Sequence, residues 1–234
     1  MHGYAEFARY AFPPNELGYC GPTDAVLFRG DDPGEVARYA REFDGAWPYL
    51  ETIGDAMGAD PLDDEVVHSY WVGGPLLDGV DPARLLARLR AAFAGQVTGL
   101  LDEVTPTATV LAHHSFHVFV VYPWVRFLDR DPATPLSILQ SCRIRWGTVD
   151  SVEDDHAVIL SRPLDFGDGA LGLGPAAAER VRWRKDGSSL LSMPAPGDTV
   201  AAHWDWLCAT LADGDAAALA TATQATLDLV NNSR

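Results

Sequence analysis

Two side chains that bind soft metal ions stand near the two ends of a segment rich in turn signals. Cys142 opens that segment within residues 141–147, and His203 closes it after a Gly-Asp turn at 197–198. A thiolate and a neutral imidazole are good ligands for iron, copper or zinc. The same pair also fits a cysteine-histidine nucleophile. The spacing also allows a third interpretation without chemistry, in which Cys142 is a small buried hydrophobic residue and His203 is a side chain at the rim of the barrel.

A second group of candidate residues lies in the first half of the chain. His113 and His117 stand four positions apart, so on a helix they would share one face. Two imidazoles on one face can bind one metal ion, with Cys20, His68 or a carboxylate as the third ligand. Cys20 lies in a loop of glycine and proline before a predicted helix, whose N-terminus would stabilise a thiolate. A histidine-containing core and a structural turn are the alternatives.

The first part of the chain is predicted to be mainly helical. Apolar residues recur there at spacings of three and four, and Asp-Pro and Thr-Pro pairs mark helix starts. A first helix over 4–12 is expected to end at Pro13, and a long apolar segment over 105–128 is expected to be interrupted by Pro123. Further helices are predicted over 46–57 and 64–71.

After about residue 137 the pattern changes to short alternating segments separated by Gly-Asp, Asp-Gly and Pro-Gly-Asp turns. Several short strands with closely spaced turns favour a small barrel. Cys142 is expected to begin its first strand, and a helix over 216–230 is expected to close the chain. The predicted fold class is therefore α+β, with a helical domain over 1–137 and a β-barrel with a C-terminal helix over 138–234.

Composition excludes several classes of function. The 234 residues include 33 acidic and 17 basic side chains, which gives a net charge of −16. Sequence-independent binding to nucleic acid needs a cationic face, so neither nucleic acid nor an anionic membrane is expected as a partner. The three cysteines form no disulfide or CxxC pattern. Without a signal-like N-terminus or a spanning apolar run, the protein is expected to be cytoplasmic.

Residues 141–231 resemble the HypC/HupF family of nickel-iron hydrogenase maturation chaperones. The resemblance depends on Cys142 at the start of the barrel, on the Gly-Asp-x-Val-x-x-His motif over 197–203, and on the helix that follows. Members of that family are small barrels with a short terminal helix. The family's cysteine follows the initiator methionine, whereas Cys142 is internal.

The resemblance implies a cytoplasmic accessory protein that binds iron through Cys142 and His203. Its implied partners are the hydrogenase large subunit or other maturation proteins. The N-terminal part resembles an uncharacterised actinobacterial family associated with hydrogenases. The alternative function is a metal-dependent or thiol-dependent enzyme whose catalytic residues are Cys20, His113 and His117. A structural adaptor that binds no metal is the third possibility.

Overall fold

Helices precede a small sheet in the computed structural model, which describes residues 3–25, 27–28 and 32–234. The fold class is α+β, as the sequence predicts. The helices are α1 (Gly3–Glu16), α2 (Pro33–Ala40), α3 (Trp47–Met57), α4 (Asp64–Trp71), α5 (Pro82–Ala92), α6 (His114–Phe116), α7 (Ala133–Cys142) and α8 (Asp215–Ser233). Short 3-10 turns lie at Pro75–Gly79 and Pro123–Phe127, and a π-helical turn lies at His117–Val121.

Helix α5 shows why these segments are helical. The Asp81 side chain accepts a hydrogen bond of 2.9 Å from the Ala83 backbone N–H and so caps the first turn, while proline occupies the first helical position. Leu85, Leu86 and Leu89 lie on one face and are almost completely buried. An apolar stripe at this spacing stabilises the helix by packing against the rest of the helical region.

Helix α1 differs from its predicted form because it continues through Pro13 and Pro14 to Glu16. The expectation that it ends at Pro13 is wrong. Both prolines are buried in its last turns, where each removes one backbone N–H donor. The carbonyls of residues four positions earlier therefore lack their usual helical partners, which becomes important at the candidate site.

The apolar segment over 105–128 also differs from its prediction. It contains the short helix α6 and the π-helical turn His117–Val121 in place of one long helix. The Tyr122 backbone N–H donates to the His117 carbonyl at 2.9 Å, which is the wider hydrogen-bond step of a π-helix. The backbone N–H groups of Gly99 and Leu100 donate hydrogen bonds to the carbonyls of Val121 and Val120, respectively. A neighbouring segment thus stabilises the π-helical turn.

Cys142 is the last residue of α7, and the first strand begins at Arg145. The expectation that Cys142 begins a strand is therefore wrong. Leu139 and Cys142 lie three positions apart and are both buried, which is helical spacing. Alternation of buried and exposed residues begins only after the helix has ended.

Five strands form a closed barrel in the order β1-β2-β5-β9-β8. Its interior holds a separate apolar cluster that includes Val149, Ile159 and Val200. The strands are β1 (Arg145–Val152), β2 (His156–Ser161), β5 (Ala177–Arg182), β8 (Thr199–His203) and β9 (Trp206–Thr210), with small hairpins β3 (Leu164–Gly167), β4 (Ala170–Leu173) and β6 (Arg184–Lys185), β7 (Ser188–Ser189) outside the barrel.

One large apolar core joins the two parts of the chain. It contains Leu50 and Val120 from the helical part, Ala201 from the barrel and Val230 from α8. The predicted boundary at 137 falls inside α7. The division into 1–137 and 138–234 stays a prediction about folding units. Within the described residues, no helix combines the length and the apolar character that crossing a bilayer requires.

Candidate metal centre

Three side chains that can bind a metal ion meet between the helical part and the barrel. Donor atoms of His114, Cys142 and His203 all lie within 4.8 Å of one another, and the three residues are buried. His114 is the first residue of α6, Cys142 the last of α7 and His203 the last of β8. The structure thus brings together both residues of the predicted Cys142/His203 pair and adds His114 to them.

Arg145 holds the two chain ends that carry Cys142 and His203. Its guanidinium donates to the Ser141 carbonyl at 3.2 Å and to the Trp204 carbonyl, and it pairs with Glu179 at 2.7 Å. The Trp204 backbone N–H also donates to the Ser141 carbonyl at 2.8 Å. The residues adjacent to the two candidate ligands are thus bonded to each other directly and through one buried cation.

His203 is oriented by the backbone of α1. Its Nδ1 lies 2.7 Å from the Tyr10 carbonyl oxygen, which can only accept, so Nδ1 carries the proton. That carbonyl is available because Pro14, four residues later, has no N–H to donate. The opposite nitrogen, Nε2, is buried and has no hydrogen-bond partner in the described part of the chain. A backbone carbonyl on one nitrogen and a free lone pair on the other is the usual arrangement of a metal-binding histidine.

His114 belongs to a chain of three hydrogen bonds. Tyr70 Oη lies 2.8 Å from the Gly45 carbonyl and 3.0 Å from His114 Nδ1, and His114 Nε2 lies 2.9 Å from the Cys142 carbonyl. Each contact needs one proton, but the Tyr70 hydroxyl and a neutral imidazole supply only two. A metal ion on Nε2 would replace the contact with the Cys142 carbonyl, and the two protons would then suffice for the other two contacts. Nδ1–H would then donate to Tyr70, and Tyr70 to Gly45.

The candidate donors are neutral near pH 7. Burial lowers the pKa of His114 to about 4 and also lowers the pKa of His203. Burial raises the pKa of the Cys142 thiol well above its usual value, and the neighbouring Cys20 acts in the same direction. A thiolate at Cys142 therefore needs a positive charge beside it, which a bound cation would supply.

A cavity of about 20 Å³ lies beside these donors. Its volume suffices for one water-sized ligand. Cys20 and His117, from the second predicted group, line it together with Cys142, His114 and His203. Two groups of residues that stand far apart in the sequence therefore meet around one cavity.

His113 is the exception in the second group. It precedes α6 with an extended backbone (φ −128°, ψ 150°), and its Nδ1 accepts from the Ser115 backbone N–H at 3.1 Å. It therefore caps the helix and does not line the cavity. The expectation that His113 and His117 share a helical face is wrong because the helix begins one residue later. His68, another suggested ligand, pairs with Glu6 and Asp215 away from the cavity.

Residues 1–234 match the family of unknown function DUF6390. The chain belongs to this family. No curated protein and no solved structure matches it. The family's description assigns no activity, so the geometry of the centre is the basis for a functional conclusion about this DUF6390 member.

Three contributors to the centre escape prediction from the sequence of this DUF6390 member. His114 stands in a run with two other histidines, and only the starting point of α6 shows which of them faces the cavity. Tyr70 lies on α4, forty-four positions before its partner His114. Pro14 is partly predictable, because a proline in a helix leaves the carbonyl four residues earlier without its helical hydrogen bond. The residue that bonds to this carbonyl cannot be predicted, since it lies far away in the sequence.

Proposed function

We propose that this protein binds a metal ion through His114, Cys142 and His203 and serves as an accessory protein of metalloenzyme assembly. The observation that supports this most is the convergence of the three buried donors within 4.8 Å. Two orientating groups support it further, since the Tyr10 carbonyl and Tyr70 each engage the Nδ1 of one histidine. The donor set of two imidazoles and one thiolate suits iron, copper or zinc.

The resemblance of residues 141–231 to the HypC/HupF family supports a narrower proposal. In that proposal the cargo is iron, and the client is the large subunit of a nickel-iron hydrogenase or another maturation protein. Three free cysteines agree with action in the reducing cytoplasm. The HypC-like character of the barrel belongs to the same proposal, with the helical part providing specificity for the client.

Metal analysis of the purified protein tests the metal-binding function. We expect one ion per chain, and we expect Cys142→Ala and His203→Ala to lose it. Cys208→Ala is the matched control for Cys142→Ala, because Cys208 is equally buried but lies outside the cavity. Metal binding that survives both ligand substitutions would refute the function. Co-purification with the hydrogenase large subunit, lost in Cys142→Ala, tests the narrower proposal separately.

An enzyme remains the second candidate because Cys20 and His117 line the same cavity. Two observations limit it. His113 does not join them, and burial raises the pKa of the Cys20 thiol, which weakens a nucleophile. This candidate predicts fast alkylation of Cys20 by iodoacetamide, whereas the metal-binding proposal requires no activated thiol at Cys20 and predicts alkylation no faster than that of an ordinary cysteine. Alkylation of Cys20 faster than that of a cysteine in an unfolded peptide would favour the enzyme.

A further inference from the structure

Cys20 connects the candidate metal centre with solvent. Its side chain lines the cavity that also contacts Cys142, His114 and His203. Cys20 is partly exposed, whereas Cys142 is only 3% exposed and Cys208 is fully buried. Of the three cysteines, Cys20 alone can meet both an ion in solution and the buried donors.

A second observation points to a ligand in the same cavity. His203 Nε2 is buried and finds no hydrogen-bond partner among the residues with described positions. Nδ1 carries the proton because it donates to the Tyr10 carbonyl, so Nε2 holds a lone pair. A buried lone pair without a donor is costly. Metal-binding side chains thus extend around the cavity from Cys20, a partly exposed residue, to the buried nitrogen of His203.

Hydrogen bonds at its base hold the Cys20 loop in place. Asn15 donates through Nδ2 to the carbonyls of Cys20 and Pro22, each at 2.9 Å. Gly21 has a φ of +76°, and a Cβ there would lie 2.3 Å from the Phe43 ring. Glycine is therefore required for the loop to pack against the cavity wall. These contacts fix the Cys20 loop against the cavity that the other donors line.

The outer side of the loop is held by the Tyr19 backbone N–H, which donates to the Pro14 carbonyl at 2.8 Å, and by a ring contact. Tyr19 is 61% exposed, and its ring stacks on Trp204 with centroids 4.5 Å apart and planes at 11°. Trp204 directly follows His203 and has a left-handed backbone with φ +52°. Only the tyrosine ring of this pair is exposed, and stacking of this kind contributes about 0.5–1.5 kcal/mol beyond the area that it buries. Opening of this pair would uncover the end of the barrel that carries His203.

We propose that Cys20 is the loading ligand of this centre, taking up a thiophilic cation at the cavity mouth and passing it to His114, Cys142 and His203. The inference rests on the metal-binding function proposed above. The Cys20 thiol loses its proton to solvent as the sulfur-metal bond forms. That bond breaks as Cys142 binds the ion, and the Cys142 proton moves to the Cys20 thiolate. One proton leaves per ion, and no group is oxidised or reduced.

The kinetics of cobalt(II) loading test this role. In stopped flow, the charge-transfer absorption of the cobalt-thiolate bond reports the rate at which the ion binds. The decay of the same absorption after addition of excess chelator reports the rate at which the ion is removed. We expect Cys20→Ser to slow both processes about tenfold, which corresponds to about 1.4 kcal/mol in each barrier. The equilibrium dissociation constant and the one-to-one stoichiometry should not change, because a ligand that leaves after transfer lowers both barriers equally.

Two further variants complete the experiment. Cys208→Ser removes a thiol that lies outside the cavity, and it should load at the wild-type rate. Tyr19→Ala removes the exposed ring from the stack, and it should accelerate loading and removal. Serine at position 20 keeps a hydroxyl for the 3.4 Å contact with Tyr122, so the loop should stay in place.

Three outcomes would overturn the inference. If Cys20→Ser takes up the ion at the same rate as the wild type, Cys20 has only a structural role. A weaker equilibrium affinity in Cys20→Ser would show that it is a resident ligand. A wild-type protein that binds no cobalt, zinc or iron would refute the proposed function itself, and the loading role with it. The first two results leave that function intact.

Discussion

At the scale of single residues, Tyr70 makes a hydrogen bond that would orient His114 for the proposed ion. Its hydroxyl links His114 Nδ1 to the Gly45 carbonyl. We expect Tyr70→Phe to weaken metal binding by about 10-fold to 100-fold, the usual effect of losing such a partner. Competition titration against a chromophoric chelator measures the change.

Tyr49→Phe is a closely matched control for Tyr70→Phe. Tyr49 is also fully buried and its ring lies 5.3 Å from that of Tyr70. Its hydroxyl has no hydrogen-bond partner among the described residues, so its removal should leave the affinity unchanged. Equal losses in the two variants would show that hydroxyl removal acts through packing and not through His114.

The protonation states of the donors predict a pH dependence of metal binding. His114, whose pKa is about 4, is already neutral above about pH 5, whereas the Cys142 thiol keeps its proton through the neutral range. Uptake of an ion should therefore release about one proton between about pH 5 and pH 8, and the affinity should rise about tenfold per pH unit. Calorimetry in buffers of different ionisation enthalpy measures this release. Metal uptake without proton release would exclude a thiolate at Cys142.

Some of these residues could be predicted from the sequence and others could not. Cys142 and His203 could be selected because each is a metal-binding side chain near one end of the segment rich in turn signals. His114 could not be separated from His113, since their roles depend on the residue at which α6 begins. That starting point is set by packing against distant segments, and local sequence carries little information about such contacts.

At the scale of elements, the last turns of α1 prepare the Tyr10 carbonyl for His203. We expect Pro14→Ala to weaken metal binding by up to about tenfold, because the new N–H would share that carbonyl with His203 Nδ1. Helix propensity favours alanine at this position, so a weaker helix would not explain the loss. Titration of the variant measures the affinity, and thermal unfolding monitors the fold.

Pro13→Ala makes the same chemical change one position earlier in α1. The restored donor would face the carbonyl of Arg9 and not that of Tyr10. Metal affinity should therefore stay at the wild-type value. If Pro13→Ala and Pro14→Ala weaken binding equally, the effect comes from altered packing of buried prolines and not from competition for Tyr10.

The predicted bounds of secondary-structure elements match the structure where the local sequence pattern determines them. The helix expected over 64–71 coincides with α4, and the helix expected over 46–57 differs from α3 by one residue. The predicted helix end at Pro13 and the strand start at Cys142 were wrong. In both cases burial against the rest of the molecule extended a helix beyond its local signals.

At the scale of the whole molecule, His68 joins three helices through two carboxylates. Its Nδ1 lies 3.0 Å from Glu6 on α1, and its Nε2 lies 3.4 Å from Asp215 at the start of α8. The hydrogen bond to Glu6 is the main reason that the pKa of His68 is raised above the ordinary histidine value of 6.5. The protonated form thus strengthens the contact between the two ends of the chain.

This link predicts how stability changes with pH. The pKa of His68 is higher in the folded chain than in the unfolded chain. Its contribution to the free energy of unfolding is therefore fully present below about pH 6.5 and is lost as the pH rises through the folded-state pKa. With 37% of the side chain exposed, screening limits it to about 0.5 kcal/mol. Urea unfolding at pH 6 and pH 9 should show this difference in the wild type. His68→Gln should reduce it by that amount, and an unchanged difference would contradict the assignment.

The three donors of the centre lie on elements that are far apart along the chain. An ion bound to them would act as a reversible cross-link that closes two long loops, one between His114 and Cys142 and one between Cys142 and His203. Such a cross-link restricts the unfolded chain as a disulfide does. The three donors meet only in the folded chain, so the unfolded chain would bind the ion far more weakly. An occupied centre would therefore mark a completely folded chain. At an ion concentration of 100 times the dissociation constant, binding would add about 2.7 kcal/mol to the free energy of unfolding.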